Sequence, residues 1–111
     1  MDMHNTDSSV FLAIDLGASS GRLVAGISDG ETLSLEEVTR FPTLSTTIGA
    51  HSYWNVLSLY SSIEDALAKA ARAYGDQIVS IGVDTWGVDY GLLDESKELL
   101  SNPICYRDGR T

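Results

Sequence analysis

An apolar run, Val10-Phe11-Leu12-Ala13-Ile14, ends at an aspartate and leads into a turn-rich octet, Asp15-Leu16-Gly17-Ala18-Ser19-Ser20-Gly21-Arg22. A second apolar run, Leu23-Val24-Ala25-Gly26-Ile27, follows directly. Two short apolar runs around small residues predict two buried strands joined by a tight turn. A turn with two glycines and two serines leaves backbone N–H groups open, and such a concavity suits an anion. Asp15 constrains which anion. A carboxylate beside a phosphate is repulsive unless a divalent cation bridges the two, so the pattern fits a magnesium nucleotide better than bare phosphate. The same residues also fit an ordinary hairpin turn capped by an aspartate, because short Gly-rich motifs recur widely.

Downstream, Asp29-Gly30 is a strong tight-hairpin signal. A third strand follows, from about Thr32 to Phe41, whose alternation loses phase at Glu36-Glu37 before Val38; this predicts a bulge or an edge position. Residues 42–52 are polar, rich in Thr and Ser, and read as a loop. Asn55 can cap a helix in which Val56, Leu59, Tyr60, Ile63, Leu67, Ala70, Ala71 and Tyr74 share one face, with Gly75 placed to end it. Tyr53 and Trp54 read as a hydrophobic lead-in that packs down. The run from Gln77 to Asp84 is a fourth strand, and after a helix it pairs most economically in parallel with the first. Further extended pieces are expected at 88–94, at 98–100 after the turn Glu95-Ser96-Lys97, and at 104–106. The first and fourth strands thus both end in an aspartate, Asp15 and Asp84, followed by a glycine-containing loop. In open α/β sheets ligands gather outside the carboxyl ends of such strands, so neighbouring parallel strands would open both loops onto one crevice.

At 111 residues, with 43% apolar and 21% charged residues, the chain fits one soluble globular domain. A net charge of −9 with only 7 basic residues argues against nucleic acid as a partner. Cys105 is the sole cysteine and reads as a small buried hydrophobe in a reducing compartment. His4 and His51 are isolated, and no residue cluster suggests zinc. No apolar run reaches the roughly 20 residues of a membrane span. Residues 1–9 are polar without the basic start of a leader and read as a disordered tail ahead of a domain at 10–111. The expectation is a cytoplasmic protein with no membrane contact.

Three stretches together resemble the FGGY carbohydrate kinases, and within them the rhamnulokinases: the octet from Asp15, the stretch Ile81-Gly82-Val83-Asp84-Thr85-Trp86-Gly87-Val88-Asp89-Tyr90, and the closing Tyr106-Arg107-Asp108-Gly109-Arg110-Thr111. The helix start from Trp54 to Leu59 agrees with them. The resemblance implies an α/β, ribonuclease H-like (actin-like ATPase) domain: an antiparallel three-strand meander, a crossover helix and a parallel fourth strand, cut short. It implies ATP and Mg2+ as cofactors, with Ala18, Ser19, Ser20, Gly21 and Arg22 cradling phosphate and Asp15 acting on the metal. It implies a sugar pocket with Gly87 against the sugar, Asp84, Trp86 and Asp89 shaping it, and Arg107 and Asp108 at its mouth. Trp86 reads more often as packing than as a direct sugar contact, and Arg110, implied at the same mouth, reads at least as well as a solvated charge. The implied activity is phosphorylation of a small ketose, L-rhamnulose to L-rhamnulose 1-phosphate, with L-fuculose or xylulose as alternative substrates. These kinases run several times this length and carry their catalytic base beyond residue 111. The chain therefore reads as an amino-terminal piece, inactive alone and prone to self-association, or else as a non-catalytic sugar-binding fragment.

Overall fold

The first strand, β1 (Ser9–Leu16), alternates as a half-buried strand must: Val10, Leu12, Ile14 and Leu16 are buried, and Phe11 and Ala13 are exposed. The computed structural model describes residues 8–106, so most of the expected tail lies outside the described residues, while Ser9 already belongs to β1. β2 (Ser20–Ser28) and β3 (Leu33–Pro42) complete the antiparallel meander. After helix α1 (Val56–Tyr74) and a short 3-10 turn (Gly75–Gln77), β6 (Ile78–Asp84) returns beside β1. The sheet order is β3-β2-β1-β6, with β1 and β6 parallel. This is the mixed sheet, an antiparallel meander with a parallel return strand, that the motifs implied.

The phase break in β3 is a bulge. Leu23 pairs with Thr39 but Val24 pairs with Glu37, so Val38 is the extra residue, and β3 is also an edge strand. The hairpin before it is tied by Asp29, whose carboxylate accepts from the Glu31 and Thr32 backbone N–H groups at 2.9 and 2.8 Å. Gly30 takes the positive φ (95°) that the turn requires.

α1 lies across the buried face of the sheet. Ala66 and Ala70 are buried, and their small side chains let the helix approach Leu23 and Ala25, which are fully buried in β2. Leu59, Ile63, Leu67 and Tyr74 pack around that contact. Tyr60 and Ala71, which the periodicity puts on the packed face, are exposed, because one helix covers only the middle of the sheet. Asn55 caps the helix as expected, accepting from the Ser58 N–H at 3.1 Å, and Gly75 ends it at φ 54° with its N–H on the Ala71 carbonyl. Cys105 is buried, as expected. No helix among the described residues is long and apolar enough to cross a membrane.

Two expectations need correction. Residues 42–52 are not a loop: β4 (Ser45–Ile48) and β5 (His51–Trp54) form a hairpin around Gly49 at φ 61°. All of β4 is exposed, so the hairpin has no apolar alternation to announce it, and β-propensity in Thr46 and Thr47 carries it. The strands expected at 88–94 and 98–100 reduce to one antiparallel bridge, Leu93 to Leu99, and the piece at 104–106 to another, Tyr53 to Ile104. Their turn is present: Asp94 accepts from the Ser96 and Glu98 N–H groups. The strands are absent because no sheet among the described residues lies beside them and Val88 leaves the extended region at φ 70°.

The far end of α1 is pinned to β3 by a hydrogen bond from the Tyr74 hydroxyl to the Glu36 carboxylate. Burial, and then that carboxylate, push the phenol from 10.0 up to about 12. The folded state thus favours the neutral phenol. The stability this contributes is complete below pH 10 and declines as pH rises through about 12. Equilibrium denaturation between these pH values should show that decline in the wild-type chain and a flatter dependence in Tyr74→Phe.

Candidate functional site

The turn between β1 and β2 is tighter than its composition demands. The Gly17 N–H donates to the Ser20 carbonyl at 2.9 Å, and a Cβ on Gly17 would stand 2.9 Å from that same oxygen. Gly21 is confined by packing, because a Cβ there would stand 2.5 Å from the Phe41 ring. Between them the Ala18 and Ser19 N–H groups make no hydrogen bond among the described residues. The Ser19 carbonyl accepts from the Thr43 N–H at 3.1 Å, which anchors the turn to the end of β3. The Thr43 hydroxyl is buried there without a partner among the described residues. A rigid turn with two free donors is a surface that can meet an anion.

β1 and β6 pair with Asp15 opposite Asp84, so the two carboxylates end neighbouring parallel strands in the same register. Asp15 also stands opposite Arg22 across the β1–β2 ladder and accepts from its Nε at 3.1 Å. Both side chains are nearly half exposed, at 41% and 45%. An ion pair of that exposure contributes about 0–1 kcal/mol, so either partner can be taken by a ligand at little cost. Arg22 also lies 4.0 Å from Glu37, which itself holds Arg40 at 2.6 Å.

The loop after β6 is held by an aspartate between two indoles. Trp86 Nε1 and Trp54 Nε1 both donate to Asp89 Oδ2, each at 2.5 Å. The two rings lie 4.7 Å apart at 48°. The Trp86 bond closes residues 86–89 on themselves, and Val88 inside the closure adopts φ 70° with 83% of its surface exposed. A β-branched residue at positive φ is strained, and such strain persists where the surroundings over-determine it. Gly87 is not required by packing, since a Cβ there would meet nothing within 4 Å.

Sequence reasoning missed the β4–β5 hairpin on which this loop rests. Trp54, buried at its end, donates its backbone N–H to Pro103 at 2.8 Å, and Cys105 donates to Ser52 at 2.8 Å. Tyr106 brings its ring to 6.4 Å from that of Trp54. A cleft of about 190 Å³ opens beside the indoles, lined by Leu59, Thr85, Trp86, Asp89 and Tyr90 among others. The structure therefore brings Trp86 and Asp89 together through Trp54, and Asp15 with Arg22 and Asp84 along the strand ends. Arg107, Asp108 and Arg110 lie outside the described residues. Among the described residues no three His, Cys, Asp or Glu side chains gather as a metal site. Trp54 carried one signal in the sequence: it stands in the helix start that agreed with the kinases.

No protein-family model matches the chain. A rhamnulokinase of Bacteroides thetaiotaomicron is 46% identical over 101 residues, which is 91% of this chain and 21% of that protein. Rhamnulokinases of Enterococcus faecalis and Oceanobacillus iheyensis are 39% and 42% identical over 113 and 100 residues. The chain spans about a fifth of the length of the curated relatives it matches. Among solved structures, a gluconate kinase from Lactobacillus acidophilus superposes with a TM-score of 0.74 over 91% of this chain and 20% of that one, at 13% identity. That likeness is one of fold. The resemblance to rhamnulokinases read from the three stretches is thus borne out over nine-tenths of the chain.

Both tryptophans of the chain lie in the Asp89 cluster, so selectively excited tryptophan emission reports on it alone. Asp89→Ala should shift the emission to longer wavelength as the indoles lose their acceptor and gain water. Val88→Gly should leave the emission unchanged and stabilise the chain by up to about 1 kcal/mol in urea denaturation. Destabilisation by Val88→Gly would mean that the strain relieved is smaller than the entropy glycine adds to the unfolded chain.

Proposed function

We propose that this chain is the amino-terminal part of an ATP-dependent carbohydrate kinase that converts L-rhamnulose to L-rhamnulose 1-phosphate. The observation that carries this reading is the register of β1 with β6, which sets Asp15 opposite Asp84 and opens the Gly17–Ser20 turn and the 85–89 loop at one end of the sheet. That is the end at which ligands of open α/β sheets collect. The similarity to rhamnulokinases over 91% of the chain supports that substrate class.

In this reading the free N–H groups of Ala18 and Ser19, with Ser20, Gly21 and Arg22, hold phosphate oxygens of ATP. Arg22 leaves Asp15 to do so at small cost. A half-exposed carboxylate that its arginine can release beside a phosphate turn fits Mg2+, which keeps most of its waters and takes one or two carboxylates. Asp15 would hold it, and the bound ion would offset charge on the phosphates. Gly87 gives the sugar an open approach, while Asp84, Trp86 and Asp89 shape its pocket. The sugar hydroxyl attacks the γ-phosphorus, the bond to the β-γ bridging oxygen breaks, and ADP leaves. The hydroxyl proton goes to a base outside this chain, because positioning and charge neutralisation are what these residues supply.

The complete protein carrying this stretch, given ATP and Mg2+, should form L-rhamnulose 1-phosphate and ADP, and the 111-residue chain alone should not. Gly87→Val in the complete protein should raise the sugar KM about tenfold or more at unchanged Tm, since the fold leaves that position open. Turnover of xylulose or L-fuculose with none of L-rhamnulose would defeat the substrate assignment and leave the kinase reading standing.

We also propose that the chain by itself self-associates. Val79, Ile81 and Val83 on edge strand β6 are 58%, 53% and 64% exposed, and an apolar edge strand recruits partners. Sedimentation should show mass rising with concentration; a monomer throughout would contradict this.

A further inference from the structure

The most specific geometry in the molecule is the convergence of two indole N–H groups on one carboxylate oxygen. Asp89 Oδ2 accepts from Trp54 Nε1 and from Trp86 Nε1, while Oδ1 has no hydrogen bond among the described residues. Two donors on one oxygen fix a carboxylate in position and plane, and the other oxygen keeps its full accepting capacity. Trp54 is buried at the end of β5, directly before α1, and is tied to Pro103 through its backbone. It therefore belongs to the rigid part of the molecule, whereas Trp86, Gly87, Val88 and Asp89 belong to the loop. Among the described residues, the Trp54–Asp89 bond, spanning 35 residues, is the side-chain hydrogen bond that joins the two.

We infer that Trp54 is a positioning residue for the sugar site, holding Asp89 so that its Oδ1 accepts a hydrogen bond from a hydroxyl of the bound sugar. This rests on the kinase reading above and goes beyond it in two respects. It gives a role to a residue that none of the phosphate or sugar motifs includes, and it divides the work of Asp89 between its two oxygens, Oδ2 for anchoring and Oδ1 for the sugar. Trp86 contributes to the anchoring, since it packs against Trp54 and donates to the same oxygen, and so serves the loop from inside the pocket wall. The strain at Val88 follows from the same closure, because residues 86 and 89 are drawn together across it.

The complete kinase with L-rhamnulose and ATP provides the test. Trp54→Phe keeps an aromatic ring and removes the N–H; it should raise the sugar KM about tenfold while the ATP KM stays within about twofold. Trp86→Phe, at a less buried position, should act in the same direction and serves if Trp54→Phe does not fold. Asp89→Asn separates anchoring from sugar contact: its carbonyl oxygen still accepts from both indoles, but its amide replaces the free acceptor with a donor. It should preserve the tryptophan emission of the 111-residue chain and still raise the sugar KM. An active wild type whose sugar KM is unchanged in both Trp→Phe variants would overturn the positioning role alone. An unchanged sugar KM in Asp89→Asn would overturn the hydroxyl contact. A wild-type enzyme inactive on every ketose would overturn this inference together with the kinase reading.

Discussion

Hydrogen bonding along both edges of β1 is the constraint on which the other features depend. The strand pairs antiparallel with β2 on one side and parallel with β6 on the other, so its alternation is read twice. Val10, Leu12, Ile14 and Leu16 turn to the helix side, where Leu23, Ala25, Ala66 and Ala70 complete a dry core. Asp15 falls between Ile14 and Leu16 and therefore turns to the other face, beside Arg22 and Asp84. A one-residue slip against either neighbour would bury the carboxylate and expose the core row, so the packing energy of the core also guards the position of the charged end.

The two candidate ligand surfaces are held by different means. The Gly17–Ser20 turn is confined by its own backbone, by the Phe41 ring over Gly21 and by the anchor to Thr43, and it needs no side-chain hydrogen bond to keep its shape. The 85–89 loop has no such confinement, because a Cβ at Gly87 meets nothing and Val88 is strained. Its shape is set by Asp89 and two indoles. A short turn can be fixed sterically, whereas a loop leaving an uncovered strand must be fastened by side chains to something already rigid.

Much of this was legible in residue types. The apolar runs, the Asp29-Gly30 turn, the bulge near Val38, the Asn55 and Gly75 helix ends and the parallel return of β6 follow from period, capping and turn chemistry, which are local. The β4–β5 hairpin was illegible because β4 is exposed throughout, so no alternation marks it. The strands expected at 88–94 and 98–100 failed for the opposite reason: Leu92, Leu93 and Leu100 look like strand residues, but no neighbouring sheet is there to receive them. At the site, Asp15 and Asp84 were visible as strand-end aspartates. The role of Trp54 was not, because a hydrogen bond across 35 residues leaves no trace in local pattern.

The distance between the turn after β1 and the loop after β6 is fixed by one ladder, from Val10 opposite Ile78 to Asp15 opposite Asp84. Everything in between, the hairpins, the bulge and the helix, is a detour whose length does not enter that distance. The exposed tips of the detour, Gly30 and Gly49, can therefore accept inserted residues, a tag or a small reporter domain without altering the spacing at the working edge. Those two tips are free to diverge while the ends of the ladder stay in step.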